Sequence, residues 1–197
     1  TILVGERLEN VCAYMPEGAR VVIITDATVD RLCRDRLPAA ERIVIGRGES
    51  EKTLETASAI YRRLIEMEAD RSVFLLGVGG GIVCDITGFA AATYLRGVGY
   101  ANVPTTLLAQ VDASVGGKTG VNFDGYKNMV GVFNQPRFVI CDPVVLQTLP
   151  GAELANGFAE IVKHAAIADS KYFELLEDRA DEALKGDPVL LEEIVYQ

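Results

Sequence analysis

Tryptophan is absent, histidine occurs once, at His164, and aromatic residues make up 7% of the chain's 197 residues. With one histidine, a multi-histidine metal centre would have to be completed from outside this chain. The four cysteines, Cys12, Cys33, Cys84 and Cys141, form no C-x-x-C pair, which removes the zinc-ribbon and thioredoxin-type patterns. All but Cys33 lie in or beside apolar segments, so reduced, buried thiols of a cytoplasmic protein are expected. No apolar run approaches the roughly 18 residues of a membrane span, and no basic-then-apolar leader opens the chain. The first residue is Thr1 and not methionine, so an N-terminal stretch is expected to be missing. Basic residues are also short: 19 Lys and Arg against 28 Asp and Glu give a net charge of −9. Such a surface repels phosphate backbones and anionic lipid, so neither nucleic acid nor membrane is an expected partner. An anionic small substrate would need positive groups gathered locally.

What is present, 49% hydrophobic and 24% charged residues with 19 glycines, is a globular composition. Val21-Val22-Ile23-Ile24-Thr25 reads as a strand and is followed by a helical stretch over 28–36. Arg42-Ile43-Val44-Ile45 is a second strand, ending in Gly46-Arg47-Gly48. Leu54, Ala57, Ile60, Tyr61, Leu64 and Ile65 recur three and four apart as one helix face. Val73-Phe74-Leu75-Leu76 and Phe138-Val139-Ile140-Cys141 are continuous apolar runs of the kind buried on both sides of a sheet. Strands alternating with helices predict an α/β fold with a mostly parallel sheet. After Pro150 three helical stretches follow without a strand, so the expected division is 1–150 for the α/β domain. Residues 151–197 are then the opening of a second, helical domain that stops before enclosing a core.

Two glycine motifs invite over-reading. Gly77-Val78-Gly79-Gly80-Gly81-Ile82 follows a strand and precedes a helix, where backbone N–H groups can approach a phosphate; tight helix–sheet packing explains the glycines equally well. The strict G-x-G-x-x-G fingerprint fails at Ile82. Gly116-Gly117-Lys118-Thr119 resembles the end of a P-loop, but Asp112 stands where that motif requires glycine.

Polar residues collect between 85 and 163 in apolar surroundings. Asp85 is placed in the first turn of the helix after the glycine loop, where a carboxylate favours the helix dipole. Arg96 closes the helix over 86–95, and Thr105 and Thr106 are positioned to cap the next. Asp112, Lys118, Lys127 and Asn128, read on glycine-rich loops, suit a phosphorylated, hydroxylated ligand or are solvated loop charge. Glu153, Asn156, Glu160 and Lys163 form a polar helical stripe, opposite Phe158, Ile161, Val162, Ala165 and Ala166. Glu160 and His164, four apart, can share a metal, or His164 is a surface residue.

In order and spacing, several segments resemble the 3-dehydroquinate synthase family: Gly79-Gly80-Gly81-Ile82-Val83-Cys84-Asp85, Tyr94-Leu95-Arg96-Gly97, Val103-Pro104-Thr105-Thr106-Leu107-Leu108-Ala109-Gln110-Val111-Asp112, Ser114-Val115-Gly116-Gly117-Lys118-Thr119-Gly120, Lys127-Asn128-Met129 and Gly157-Phe158-Ala159-Glu160-Ile161-Val162-Lys163. The resemblance implies a Rossmann-like NAD-binding domain followed by a helical, metal-binding one. It implies NAD contacts from Asp26, Glu49 and Lys52 at the adenosine part, and from Gly80, Gly81 and Ile82 at the pyrophosphate. Asp85, Thr105, Thr106, Leu108, Thr148 and Leu149 complete that site, with Lys118 and Lys127 shared with the substrate. Asp112, Lys118, Lys127, Asn128 and Lys163 match substrate-binding positions, and Glu160 a ligand of the catalytic zinc (or cobalt). Arg96 matches a residue that reaches a neighbouring subunit's site, implying a homodimer. The family's other metal ligands are histidines beyond the residues present, and His164 is not at a family ligand position. The chain is therefore expected to be an N-terminal part whose parent eliminates phosphate from a phosphorylated sugar acid. Other sugar-phosphate cyclases, such as 2-deoxy-scyllo-inosose synthase, a polyol dehydrogenase, or a nucleotide-binding module without catalysis are the alternatives.

Overall fold

The computed structural model describes residues 1–197. A six-stranded, all-parallel sheet runs in the order β1-β8-β5-β4-β2-β3. Its strands are β1 (Ile2–Val4), β2 (Val21–Asp26), β3 (Glu41–Ile45), β4 (Phe74–Gly79), β5 (Gly99–Pro104) and β8 (Val139–Cys141). A separate antiparallel pair, β6 (Lys118–Phe123) and β7 (Tyr126–Phe133), stands between β5 and β8 in the chain. The helices are α1 (Ala27–Cys33), α2 (Leu54–Glu66), α3 (Gly81–Thr93), α4 (Gly151–Ala168), α5 (Ser170–Leu184) and α6 (Pro188–Tyr196). No helix is long and apolar enough to cross a membrane.

The pleat sorts the β-branched run of β2 between two cores. Val22 and Ile24 point to α2 and α3, packing with Ala57, Ile60, Leu64, Ile86 and Phe89. Ile23 points to the other face, with Cys33 of α1, Phe74, Leu76 and the inner residues of α4 to α6. The adjacent strands β2 and β4 thus feed helices on opposite faces. Their C-terminal ends open a crevice of the kind in which doubly wound sheets bind ligands.

Several details differ from the sequence expectation. Lys118, Lys127 and Asn128 sit on β6 and β7, not on glycine-rich loops. The two strands are joined by Asp124-Gly125, both at positive φ (50° and 79°), which suits a tight hairpin whose twist matches its strands. The helix following the glycine loop spans Gly81–Thr93, so Asp85 lies in its second turn, too far in to serve the helix end. Leu95 and Arg96 leave the helix at φ values of 50° and 68°. Among the thiols Cys12 is exposed and Cys33 buried: Leu8 and Val11 occupy the inner side of the 3-10 segment Leu8–Tyr14, whereas Cys33 lies on the inner side of α1. On α4, Val162 and Ala166 are exposed, and Leu154, Gly157, Phe158, Ile161 and Ala165 face the core. Gly157 is what brings α4 close, since a Cβ there would lie 2.8 Å from the Leu108 backbone nitrogen.

Candidate active site

The functional candidates gather outside the C-terminal ends of β2 to β5. Asp26 ends β2, and its carboxylate accepts from the N–H groups of Thr28 and Val29, capping α1. Glu49 and Lys52 stand in the turn after β3, and Gly79 ends β4. The first turn of α3 opens at Gly80 with no side-chain cap, leaving its N–H groups and dipole toward the crevice. Thr105, buried, donates its N–H to the Gly79 carbonyl, and the Thr106 hydroxyl accepts from Ala109 N–H. Gly80 and Gly81 pack closely on their neighbours: added Cβ atoms would lie 3.1 Å from Thr106 Cγ2 and 3.0 Å from Ala113 Cβ.

Lys52 is the hub of the site. Its side chain is 8% exposed, and Nζ lies 2.5 Å from Asp85 Oδ2 and 2.5 Å from Asn128 Oδ1. Burial pushes the Asp85 carboxyl above its ordinary range, and Glu49 and Asp112 push the same way, while Lys52 pulls it down. Asp112 belongs to a single π-helical turn, Ala109–Ala113, an irregularity frequent at functional sites. Lys52, Asp85, Asp112, Lys118 and Asn128 line one cavity of about 540 Å³, walled by Met129, Val132 and Phe133.

Beside it, Glu160 accepts from Lys163, and His164 Nε2 lies 2.9 Å from the same Glu160 oxygen. The Lys163 contact, the largest influence, holds the Glu160 carboxyl below its ordinary range. Donor atoms of Asp112, Glu160 and His164 all lie within 4.8 Å of one another. A carboxylate–carboxylate–imidazole set suits a divalent cation, and Lys118, which lines the cavity and makes no ion pair, suits an anion.

The cavity does not collect every candidate. Lys127 is exposed on β7 beside Asn128 and does not line the cavity, and Arg96 is exposed beyond the end of α3. Ile82 and Leu108 stand at the openings of α3 and the Thr106 turn. Thr148, its hydroxyl donating to Val145 O, and Leu149 lie at the entry to α4. Asn122, not among the sequence candidates, proves to tie Glu49 to Asn128. Its signal was the Asp124-Gly125 turn, which would have announced the hairpin that carries it.

Comparison with known proteins bears on this arrangement. The family model for the N-terminal domain of 3-dehydroquinate synthase matches residues 42–156. The chain belongs to the 3-dehydroquinate synthase family. A 3-dehydroquinate synthase of Halorhodospira halophila is 49% identical over 182 residues, covering 90% of this chain and 51% of that protein. One from Ruminiclostridium cellulolyticum is 44% identical over 184 residues, 89% of this chain and 51% of the relative. The chain therefore spans about half the length of the curated relatives it matches. Among solved structures, the 2-epi-5-epi-valiolone synthase of Streptomyces hygroscopicus, determined with NAD+ and Zn2+, superposes with a TM-score of 0.88 at 31% identity, over 100% of this chain and 58% of that one. A 2-deoxy-scyllo-inosose synthase complexed with carbaglucose-6-phosphate, NAD+ and Co2+ gives 0.73 at 28% identity, over 99% and 60%. The α/β, Rossmann-like fold of the family is the fold observed here.

Proposed function

We propose that the full-length protein is a 3-dehydroquinate synthase, converting 3-deoxy-D-arabino-heptulosonate 7-phosphate to 3-dehydroquinate and phosphate with NAD and zinc or cobalt. The observation that carries this reading is the convergence of Lys52, Asp85, Asp112, Lys118 and Asn128 on one cavity beside Glu160, in a chain of this family.

The residues present fit both groups. The uncapped opening of α3 at Gly80 fits a dinucleotide pyrophosphate. The N/O donors of Asp112, Glu160 and His164 fit a borderline metal such as zinc. When bound, NAD supplies reversible hydride acceptance and the metal Lewis-acid polarisation. Gly80, Gly81 and Ile82 would hold the pyrophosphate, with Asp26, Glu49, Lys52, Asp85, Thr105, Thr106, Leu108, Thr148 and Leu149 around the rest of the dinucleotide. Glu160 would hold the metal. Lys118, Lys127 and Asn128 would offset the substrate's phosphate charge in a chain of net charge −9, and Asp112 would accept from a substrate hydroxyl. Lys163 would stabilise oxyanion charge as it develops.

On this reading residues 1–150 form the dinucleotide domain and 151–197 open the metal-binding one. The isolated 197 residues bind NAD without turning over. Arg96 would serve a neighbouring subunit of a homodimer. With all four cysteines free, a reducing, cytoplasmic setting is part of this reading.

A second reading, a cyclase acting on another sugar phosphate, is favoured by the TM-score of 0.88 to a valiolone synthase. Phosphate release by the full-length protein, with and without NAD in the presence of zinc, separates the two. NAD-dependent release from 3-deoxy-D-arabino-heptulosonate 7-phosphate without net NADH is the expected result. Release only from sedoheptulose 7-phosphate or glucose 6-phosphate selects the second reading. Net NADH accumulation marks a polyol dehydrogenase, and no chemistry from a folded, NAD-binding protein marks a binding module.

A further inference from the structure

We infer that Asn122 is a positioning residue that couples dinucleotide binding to substrate binding by fastening the β6–β7 hairpin to the turn after β3; this rests on the reading just given. The hairpin register slips between Val121 and Phe123, a bulge that frees Asn122 from the regular ladder and re-aims it. Two of its bonds cross to the turn after β3 and one stays within the hairpin. The backbone N–H donates to the Lys52 carbonyl at 2.7 Å. The side-chain amide donates to Glu49 Oε1 at 2.8 Å, and its oxygen accepts from the Asn128 N–H at 2.9 Å. Asn128 is held at a left-handed φ of 53°, a conformation that costs a non-glycine residue energy and persists where neighbours enforce it. In that pose its side chain accepts from Lys52 Nζ.

The consequence is directional. Glu49 and Lys52 belong to the dinucleotide side and Asn128 to the substrate side; Lys52 reaches Asn128 directly, and the Asn122 side chain adds the link from Glu49 to Asn128. A dinucleotide that orders Glu49 and Lys52 therefore fixes the hairpin, and with it Asn128 and neighbouring Lys118, before substrate arrives. Linkage requires the reverse effect to be equal: substrate must tighten the dinucleotide by the same factor.

NADH is the probe, because a complex of zinc-loaded full-length protein with NADH and 3-deoxy-D-arabino-heptulosonate 7-phosphate has no hydride acceptor and does not turn over. Its Kd is read by fluorescence without and with saturating substrate. In the wild type the ratio is expected to be at least about 5-fold, within the usual range of site–site coupling. Asn122→Ala removes the bonds to Glu49 and Asn128 and leaves the backbone bond to Lys52 and the Lys52–Asn128 contact, so the ratio should fall at least about 2-fold. Asn122→Asp keeps an acceptor for Asn128 but sets a second carboxylate against Glu49, and should also lower the ratio; it carries the test should the alanine variant fail to fold. A merely structural role would lower melting temperature or weaken both ligands without changing the ratio. A wild-type ratio near 1, or a ratio retained in a folded variant, overturns the inference. A wild type that binds no NADH at all overturns the functional reading beneath it.

Discussion

Replacing Lys52 with methionine isolates the electrostatics at the centre of the cavity. Lys52 and Asp85 are 8% and 15% exposed, with Nζ and Oδ2 2.5 Å apart. At an effective dielectric constant of about 20, charges at that separation attract by about 7 kcal/mol, offset by several kcal/mol of desolvation for each ion. Removing one partner leaves the other buried and uncompensated, which typically costs 3–5 kcal/mol; residual exposure and the loss of the Asn128 contact set the expectation at about 3 kcal/mol. For a chain of this size that lowers the melting temperature by about 6–12 °C. The pH dependence has a definite sign. Burial already raises the Asp85 carboxyl above its ordinary value of 3.8, against the pull of Lys52. A carboxyl raised in the native state contributes stability that is complete below its unfolded pKa and lost as pH climbs through the native one. Without Lys52 the native value climbs further, so the deficit of the variant should widen as pH rises above the ordinary carboxyl value of 3.8 in urea unfolding. Adding Asp85→Asn should restore most of the loss at the higher pH. A deficit below about 1 kcal/mol, the level of an exposed pair, or one independent of pH, would refute the reasoning.

Three further substitutions probe the rest of the site. Gly157→Ala should destabilise even though alanine is the better helix former by about 1 kcal/mol, because the new Cβ would meet Leu107 Cβ at 2.6 Å and the Leu108 nitrogen at 2.8 Å; a raised melting temperature would show that α4 can shift freely. Lys118→Ala should raise the substrate KM about 10- to 100-fold, the worth of a charged hydrogen bond, and weaken NAD by less; an NAD Kd weakened as much as the substrate KM would move Lys118 chiefly to the cofactor side. Glu160→Gln should leave dialysed full-length protein with less than stoichiometric zinc by metal analysis. Full zinc content in that variant would remove Glu160 from the ligand set.

The fold was legible wherever one local pattern dominated. The run Val21-Val22-Ile23-Ile24-Thr25 and the apolar strand before Gly77 forced a buried parallel sheet, and the three- and four-residue spacing from Leu54 to Ile65 forced α2. The hairpin was hidden because Gly116-Gly117-Lys118 reads locally as a flexible loop. β7 is exposed along nearly its whole length, so its apolar stretch Met129–Phe133 does not mark a buried strand, although Asp124-Gly125 was an available turn signal. On α4 the periodicity located the helix but not its rotation: Val162 and Ala166 are small or apolar enough for either side, and only the approach of Gly157 to Leu107 and Leu108 decides which side is buried.

By itself the sequence determined the α/β class, the glycine turn after a buried strand, the failure of both nucleotide-loop motifs, and a family resemblance that supplied the site's residue list. Those depend on periodicity, composition and order along the chain. Only the tertiary structure decided the partnerships: Lys52 beside Asp85 and Asn128, His164 beside Glu160 and within reach of Asp112, and Asn122 bridging Glu49 and Asn128. Asn122 and Glu49 are 73 residues apart, and no local propensity encodes that distance. Glu49 follows an end of the parallel sheet while Asn122 lies on the separate hairpin, and burial of Val121 in the core beneath α2 and α3 sets that hairpin against the turn after β3.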